Sequence, residues 1–192
     1  MIVVKKFICD VFSENCYVVF DNNSKDGLVI DPGSNFDDVM ECIKNNNLNV
    51  NAVLLTHGHF DHIYSCKKLQ LLGYKIYISI FDATMCNDDN LNCSASNNCA
   101  VEHFCPDVLI DENLQNLTFG TINVTVLHTP GHSKGGMSYV IERNIFSGDT
   151  IFEHGYGRTD LAGGNFREIL TSIKLLLKYT KSDYKLYSGH DI

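Results

Sequence analysis

Apolar and polar positions along this chain follow two rhythms. Short runs rich in Val, Ile, Tyr and Phe at 2–8, 16–20 and 27–31 read as strands, the third closing on Asp31-Pro32-Gly33, a turn signal. Over 36–46, Phe36, Val39, Met40 and Ile43 recur at helical spacing behind Asn35, which predicts a helix with Asn35 as its N-cap. Residues 51–56 are almost continuously apolar, as in a strand buried on both faces. A helix is expected over about 61–72 and a strand at 75–80. Segment 82–114 is less regular. Strands resume at 121–127, 137–142 and 144–147, followed by a glycine-rich loop. The last helix, about 166–179, opens with Asn165 and Glu168 in capping-box spacing and offers Phe166, Ile169, Leu170, Ile173, Leu176 and Leu177 as one buried stripe. A strand at 184–188 ends the series. No linker or repeat interrupts the pattern, so it predicts one α/β domain over 1–192, two sheets covered by helices.

Composition narrows the function. Apolar residues at 44% and charged residues at 20% describe a folded globular chain. A net charge of −8, from 23 acidic against 15 basic residues, argues against nucleic acid as a partner. No apolar run reaches the ~18 residues that a membrane helix needs, and the N-terminus does not read as a secretory signal. A cytoplasmic location is therefore expected, with the eight cysteines as reduced thiols. Cys86, Cys93, Cys99 and Cys105 are widely spaced without a Cys-x-x-Cys pair. They read as thiols packed under a loop, with a redox or metal role as the alternative. His103, His128 and His154 read as ordinary histidines.

The chemistry concentrates at strand ends. "THGHFDH" (Thr56–His62) follows the apolar run Ala52–Leu55 and crowds three histidines and an aspartate together. Later runs deliver His132, Asp149 and His190, each behind a glycine that lets the backbone turn sharply. The inventory is His57, His59, Asp61, His62, His132, Asp149 and His190. Imidazole and carboxylate together suit Zn²⁺, Fe or Mn, and seven ligands exceed one ion and match two. A carboxylate has two oxygens, so Asp149 is the natural bridge.

"THGHFDH", "TPGH", "SGDTIF" and "YSGH", with "ENCYVV" and "LVIDPG" ahead of them, resemble the metallo-β-lactamase superfamily and, within it, the glyoxalase II-like hydrolases. The resemblance covers nearly the whole chain. It implies a four-layer αββα sandwich with two divalent ions, Zn²⁺ before Fe or Mn, at one edge. His57, His59 and His132 would hold one ion, Asp61, His62 and His190 the other, and Asp149 would bridge. Asp31 would support the ligand loop without binding metal. "GYGRTDLAGG" resembles small single-domain hydroxyacylglutathione hydrolases, which lack a C-terminal glutathione-binding helical domain. Where those enzymes carry a substrate-contacting lysine, this chain has Arg158, which changes the geometry offered to a carboxylate.

The implied function is cleavage of a small-molecule thioester, hydroxyacylglutathione-like, by a metal-bridging hydroxide. Asp61 would orient the nucleophile as the catalytic residue, with Arg158 and Tyr156 near the substrate. Alternatives are a persulfide dioxygenase-type mono-iron oxidoreductase and a lactonase or other hydrolase of the fold. Asp149 argues against a β-lactamase, many of which place a cysteine there. Arg158 is balanced between a substrate contact and an ion pair with Asp160. Only two residues follow His190. Chain ends fray unless held, so the second ion is expected to be the weaker one. The pattern leaves the oligomeric state open.

Overall fold

The computed structural model describes residues 1–180 and 183–191. Strands β1 (Ile2–Ile8), β2 (Asn15–Asp21), β3 (Asp26–Ile30), β4 (Asn49–Leu54), β5 (Ile76–Ser79) and β6 (Val108–Ile110) form one sheet in sequence order. Its first two pairings are antiparallel and the rest parallel. Strands β7 (Asn116–Phe119), β8 (Ile122–His128), β9 (Met137–Ile141), β10 (Asn144–Gly148) and β11 (Lys185–Ser188) form the second, in the order β11-β10-β9-β8-β7.

Side-chain alternation explains the layers. In β2, Tyr17 and Val19 turn toward the second sheet, whereas Cys16, Val18 and Phe20 turn away from it. Leu28, Ile30, Ala52 and Leu54 join the inner set and meet Val124, Val126, Tyr139 and Phe146. Val29, Val53 and Leu55 lie on the outer face, against Val39, Cys42 and Ile43 of helix α1 (Phe36–Asn46). On the far side, Leu176 of helix α4 (Phe166–Thr180) packs on Val140 and Ile145. The result is the αββα sandwich expected from the sequence. Burial on both faces is the reason β2 and β4 read as nearly unbroken apolar runs.

Four local expectations need correction. The helix expected over 61–72 is two, α2 (Phe60–Ile63) and α3 (Cys66–Leu71). The break falls where the Ser65 N–H donates to Pro32 O at 2.9 Å and its hydroxyl bonds Gly33 O. The helix is thereby tied to the turn after β3, not to its own preceding turn. Asn35 occupies the N-cap of α1, but its side chain caps nothing: its Nδ2 and Oδ1 are both buried without partners. The α4 stripe is narrower than its periodicity suggested, because only one side of the helix meets the sheet. Ile169, Ser172 and Leu176 are buried, while Phe166, Leu170 and Leu177 are exposed. β7, an edge strand with polar alternate positions, was not anticipated.

This topology gathers the loops that matter. β8 and β10 are each antiparallel to β9, so they run the same way, and β11 is parallel to β10. Their C-terminal ends therefore open on one edge, as do those of β3 and β4. The edges are stitched together by Met137 N to Thr56 O at 2.7 Å and Asn15 N to Gly189 O at 2.7 Å.

Candidate metal centre

The seven residues singled out from the sequence converge at that shared edge. The donor atoms of His57, His59 and His132 lie within 4.8 Å of one another, as do those of Asp61, His62 and His190. Between the trios sits Asp149. One of its oxygens is 3.4 Å from His62 Nε2, and the other is 3.5 Å from His132 Nε2 and 3.6 Å from His190 Nε2. Each oxygen thus turns toward a different part of the cluster.

Hydrogen bonds at the far ring nitrogens orient three of the imidazoles. The Asp31 carboxylate accepts from Thr56 N at 2.7 Å and from the Thr56 hydroxyl at 2.6 Å. That hydroxyl lies 3.1 Å from His57 Nδ1, and Asp31 also meets His62 Nδ1 at 3.0 Å. His132 Nδ1 donates to Arg158 O at 2.8 Å. In His57 and His132 Nδ1 then carries the proton, which turns the Nε2 lone pair toward the cluster, while Asp31 fixes the orientation of the His62 ring. His59 Nδ1 and His132 Nε2 approach to 2.9 Å.

The cluster passes a fit test for a cation. Buried polar atoms nearly always find partners, yet His57 Nε2, His59 Nε2, His62 Nε2 and Asp149 Oδ1 are buried here without one. Backbone packing keeps the space free of other side chains. A Cβ at Gly189 would stand 2.1 Å from Asp149 Oδ1 and 2.8 Å from His62 Cε1, so only glycine lets β11 deliver His190 this close. At Gly148 the reason is different: a left-handed backbone at φ 51° with Thr56 pressed against it.

Electrostatics divide the trios. Burial, then the neighbouring imidazoles, hold His57 well below its usual range. Burial and His132 push His59 down to about 3. Burial also opposes charge on His62, but Asp61, Asp149 and Asp31 outweigh it and raise its pKa. His190 is raised as well, because Asp61 and Asp149 overcome its burial. The same pairings hold Asp61 and Asp149 below the usual carboxylate range against the effect of burial.

Sequence reading passed over three neighbours. Asp82, buried just beyond β5, accepts from the Ser133 hydroxyl at 2.6 Å, Gly135 N at 2.7 Å and Gly58 N at 3.3 Å. It ties the His57–His59 turn to the loop carrying His132. An acidic residue just past an apolar strand was its only signal. Glu14, fully buried, stands 3.7 Å from His62 Nδ1. Phe12 lines the cavity above the cluster, a space of about 810 Å³ that Tyr156 and Arg158 also line. The Arg158 guanidinium forms a two-point ion pair with Asp160, both contacts at 2.7 Å, while the residue still lines the cavity.

The remaining expectations fall out by geometry. Cys86 and Cys93 are buried, Cys99 is half-buried and Cys105 exposed, and no cysteine joins a ligand cluster among the described residues. His103 pairs with Asp89 and His128 with Lys134 O, both away from the cluster. Protein contacts flank His190 on both sides: Asp191 meets Lys6 at 2.5 Å and Asn15 at 2.9 Å, and Tyr17 donates to Ser188 O at 2.6 Å. Among the described residues no helix is long and apolar enough to cross a membrane.

A family model described as Metallo-beta-lactamase superfamily matches residues 9–190, a span containing all seven clustered donors. The chain belongs to the metallo-β-lactamase superfamily. Hydroxyacylglutathione hydrolase GloC of Haemophilus influenzae is 29% identical over 188 residues, covering 93% of this chain and 86% of GloC. The crystal structure of the BLEG-1 B3 metallo-beta-lactamase superposes with a TM-score of 0.92 at 31% identity, over 99% of this chain and 92% of that one. TTHA1623 in a di-iron-bound form gives 0.85 at 27%, over 98% and 93%. Metallo-β-lactamase folds bind divalent metals, and this member has the donor clusters to do so. It is a metallo-hydrolase of that superfamily.

Proposed function

We propose that this chain hydrolyses a thioester with two divalent ions, in the manner of the glyoxalase II-like branch. The observation that carries the reading is Asp149 standing against both of two trios of converging donors, with four buried atoms of the seven residues lacking a hydrogen-bond partner. His57, His59 and His132 would hold one ion and Asp61, His62 and His190 the other, with Asp149 shared. Zn²⁺ and Fe both suit this donor set, and the di-iron neighbour lends weight to iron. Bound there, two divalent ions supply Lewis acidity, generating hydroxide near neutral pH and polarising a carbonyl.

The residues of the chain do the rest. Asp31 and Arg158 O fix the imidazole tautomers, so little reorganisation accompanies the reaction. Asp61 lines the cavity, is held below the usual carboxylate range and lies 3.4 Å from His190 Nε2; in this reading it would orient the attacking water and take up its proton. Attack on the thioester carbonyl breaks its C–S bond and releases a thiolate and an acid. No side-chain nucleophile is needed, and the thiol of Cys93, which lines the cavity, is pushed up by burial and by Asp61, the opposite of activation. The similarity to GloC supports a hydroxyacyl thioester as substrate.

Metal analysis paired with thiol release from a panel of lactoyl thioesters, S-D-lactoylglutathione among them, tests the reading. Two ions per chain with thiol release is the expected result. One iron per chain, with oxygen uptake on a persulfide and no thiol release, overturns it. Hydrolysis of a β-lactam is the second reading, favoured by the likeness to BLEG-1. Opening of a chromogenic cephalosporin without thioester cleavage would put it first.

A further inference from the structure

The cavity above the cluster has an aromatic rim. Phe12, Phe60, Phe152 and Tyr156 line it, with Leu161 beside them. Phe12 is 54% exposed, and its backbone sits in the left-handed region at φ 60°, followed by Ser13 at φ 53°. Bulky residues avoid that region, and where they persist the surroundings must over-determine them. Here the turn is closed by Cys9 N to Glu14 O at 2.7 Å and Val11 N to Ser34 Oγ at 3.1 Å. The ring meets Phe60 edge-on, centroids 4.9 Å apart. The turn thus holds an aromatic ring partly in solvent on the wall of the cavity that Tyr156, itself 46% exposed, also lines. Exposed apolar groups gathered around a concave site mark a binding surface.

Charge at the rim points the same way. Arg158 is the single Lys or Arg among the described residues that line the cavity, and its guanidinium is ion-paired with Asp160 through Nε and Nη2. The pair is neutral, and the chain as a whole carries −8. The reacting carbonyl of a thioester belongs at the floor with Asp61 and Asp149, while its thiol arm extends to the rim. A glutathione arm would bring two carboxylates and one ammonium, a net negative charge, to a rim whose one guanidinium is already ion-paired with Asp160.

Resting on the thioester reading above, we propose that this cavity selects thioesters with an uncharged, apolar thiol arm, seated against Phe12, Phe152 and Tyr156, over thioesters of glutathione.

Two non-hydrolysable thioethers with a common benzyl group test this by calorimetry on the metal-loaded protein: S-benzyl-N-acetylcysteamine, which is neutral, and S-benzylglutathione. The neutral ligand is expected to bind about 5-fold tighter or more. Phe12→Ala should weaken it by about 5-fold, and Phe12→Tyr should restore it. Asp160→Asn, which frees the Arg158 guanidinium, should tighten S-benzylglutathione by about 3-fold and leave the neutral ligand unchanged. Equal or tighter binding of S-benzylglutathione to the unaltered protein overturns the proposal, as does indifference of both ligands to Phe12→Ala. Thiol release from the matching lactoyl thioesters separates this from the parent reading. The binding preference without any release refutes thioester hydrolysis alone, and release with the reversed preference refutes the proposed selectivity alone.

Discussion

His57, His59 and His132 are all imidazole, whereas Asp61, His62 and His190 mix imidazole with carboxylate, and the two trios are held in different ways. The first is fixed by hydrogen bonds to neutral or shared groups: the Thr56 hydroxyl, Arg158 O, and the Asp82 carboxylate that spans its two loops. Its rings crowd one another, and burial keeps His57 and His59 unprotonated. The second is surrounded by acid, and His62 and His190 gain affinity for protons from it. One half is preorganised by geometry and the other by opposite charge. A cation entering the first meets rings that burial already keeps neutral. One entering the second must displace protons.

The sharpest way to break this comparison is ligand removal. Under the two-ion reading, His57→Ala sacrifices Lewis-acid stabilisation of several kcal/mol, so roughly a 10³-fold fall in kcat/KM for thiol release is expected. His190→Ala should leave about one ion per chain by elemental analysis. An unchanged metal content in His190→Ala would show that the halves are not separate sites. Asp82→Ala should act only on the first half, lowering its metal affinity by about 10–100-fold in chelator competition while the other ion stays bound. Loss of both ions together would mean that Asp82 supports the fold and not the trio.

Acid and base should then separate the halves in the metal-free protein. His59 titrates near 3 when folded and near ~6.5 when unfolded. Between those values the unfolded chain binds the extra proton. Its contribution to stability is therefore complete above about pH 6.5 and lost as the pH falls toward about 3. His62 is raised on folding, so its contribution is complete below about pH 6.5 and lost as the pH rises through its folded value. Urea midpoints followed across pH should show His59→Gln flattening the acid limb and His62→Gln the alkaline one. Both substitutions flattening the same limb would defeat the assignment. The smallest effect expected is that of Asp191→Ala. It releases the chain end from Lys6 and Asn15 and should weaken the second ion by about 2–5-fold, the scale of an exposed ion pair. No change there would show that Asn15 N to Gly189 O and Tyr17 to Ser188 O suffice to hold His190.

Much of this was written in the linear order of residues. The apolar runs of β2 and β4, the helix spacing of α1, and the placing of His132, Asp149 and His190 just past strands are local facts, set by side-chain periodicity and by glycine. The donor set itself was legible, because few other functions crowd three histidines and an aspartate into seven residues. Harder to read were features whose cause lies far away in sequence. The break between α2 and α3 comes from a bond across to Pro32. The exposed side of α4 reflects which face meets the sheet, which periodicity alone does not assign.

The sequence by itself therefore determined the layers of the fold and the identity of seven converging donors, since both follow from short-range pattern and residue chemistry. Only the tertiary structure decided how those donors are held and what faces them. Asp31 serving Thr56 and His62 at once, Asp82 joining two loops, and Phe12 standing on the cavity wall beside Phe60 all depend on chain segments brought together by two sheets that share an edge. Hydrogen bonds and charge pairs act over a few ångströms of space, and separation along the chain carries no record of that distance.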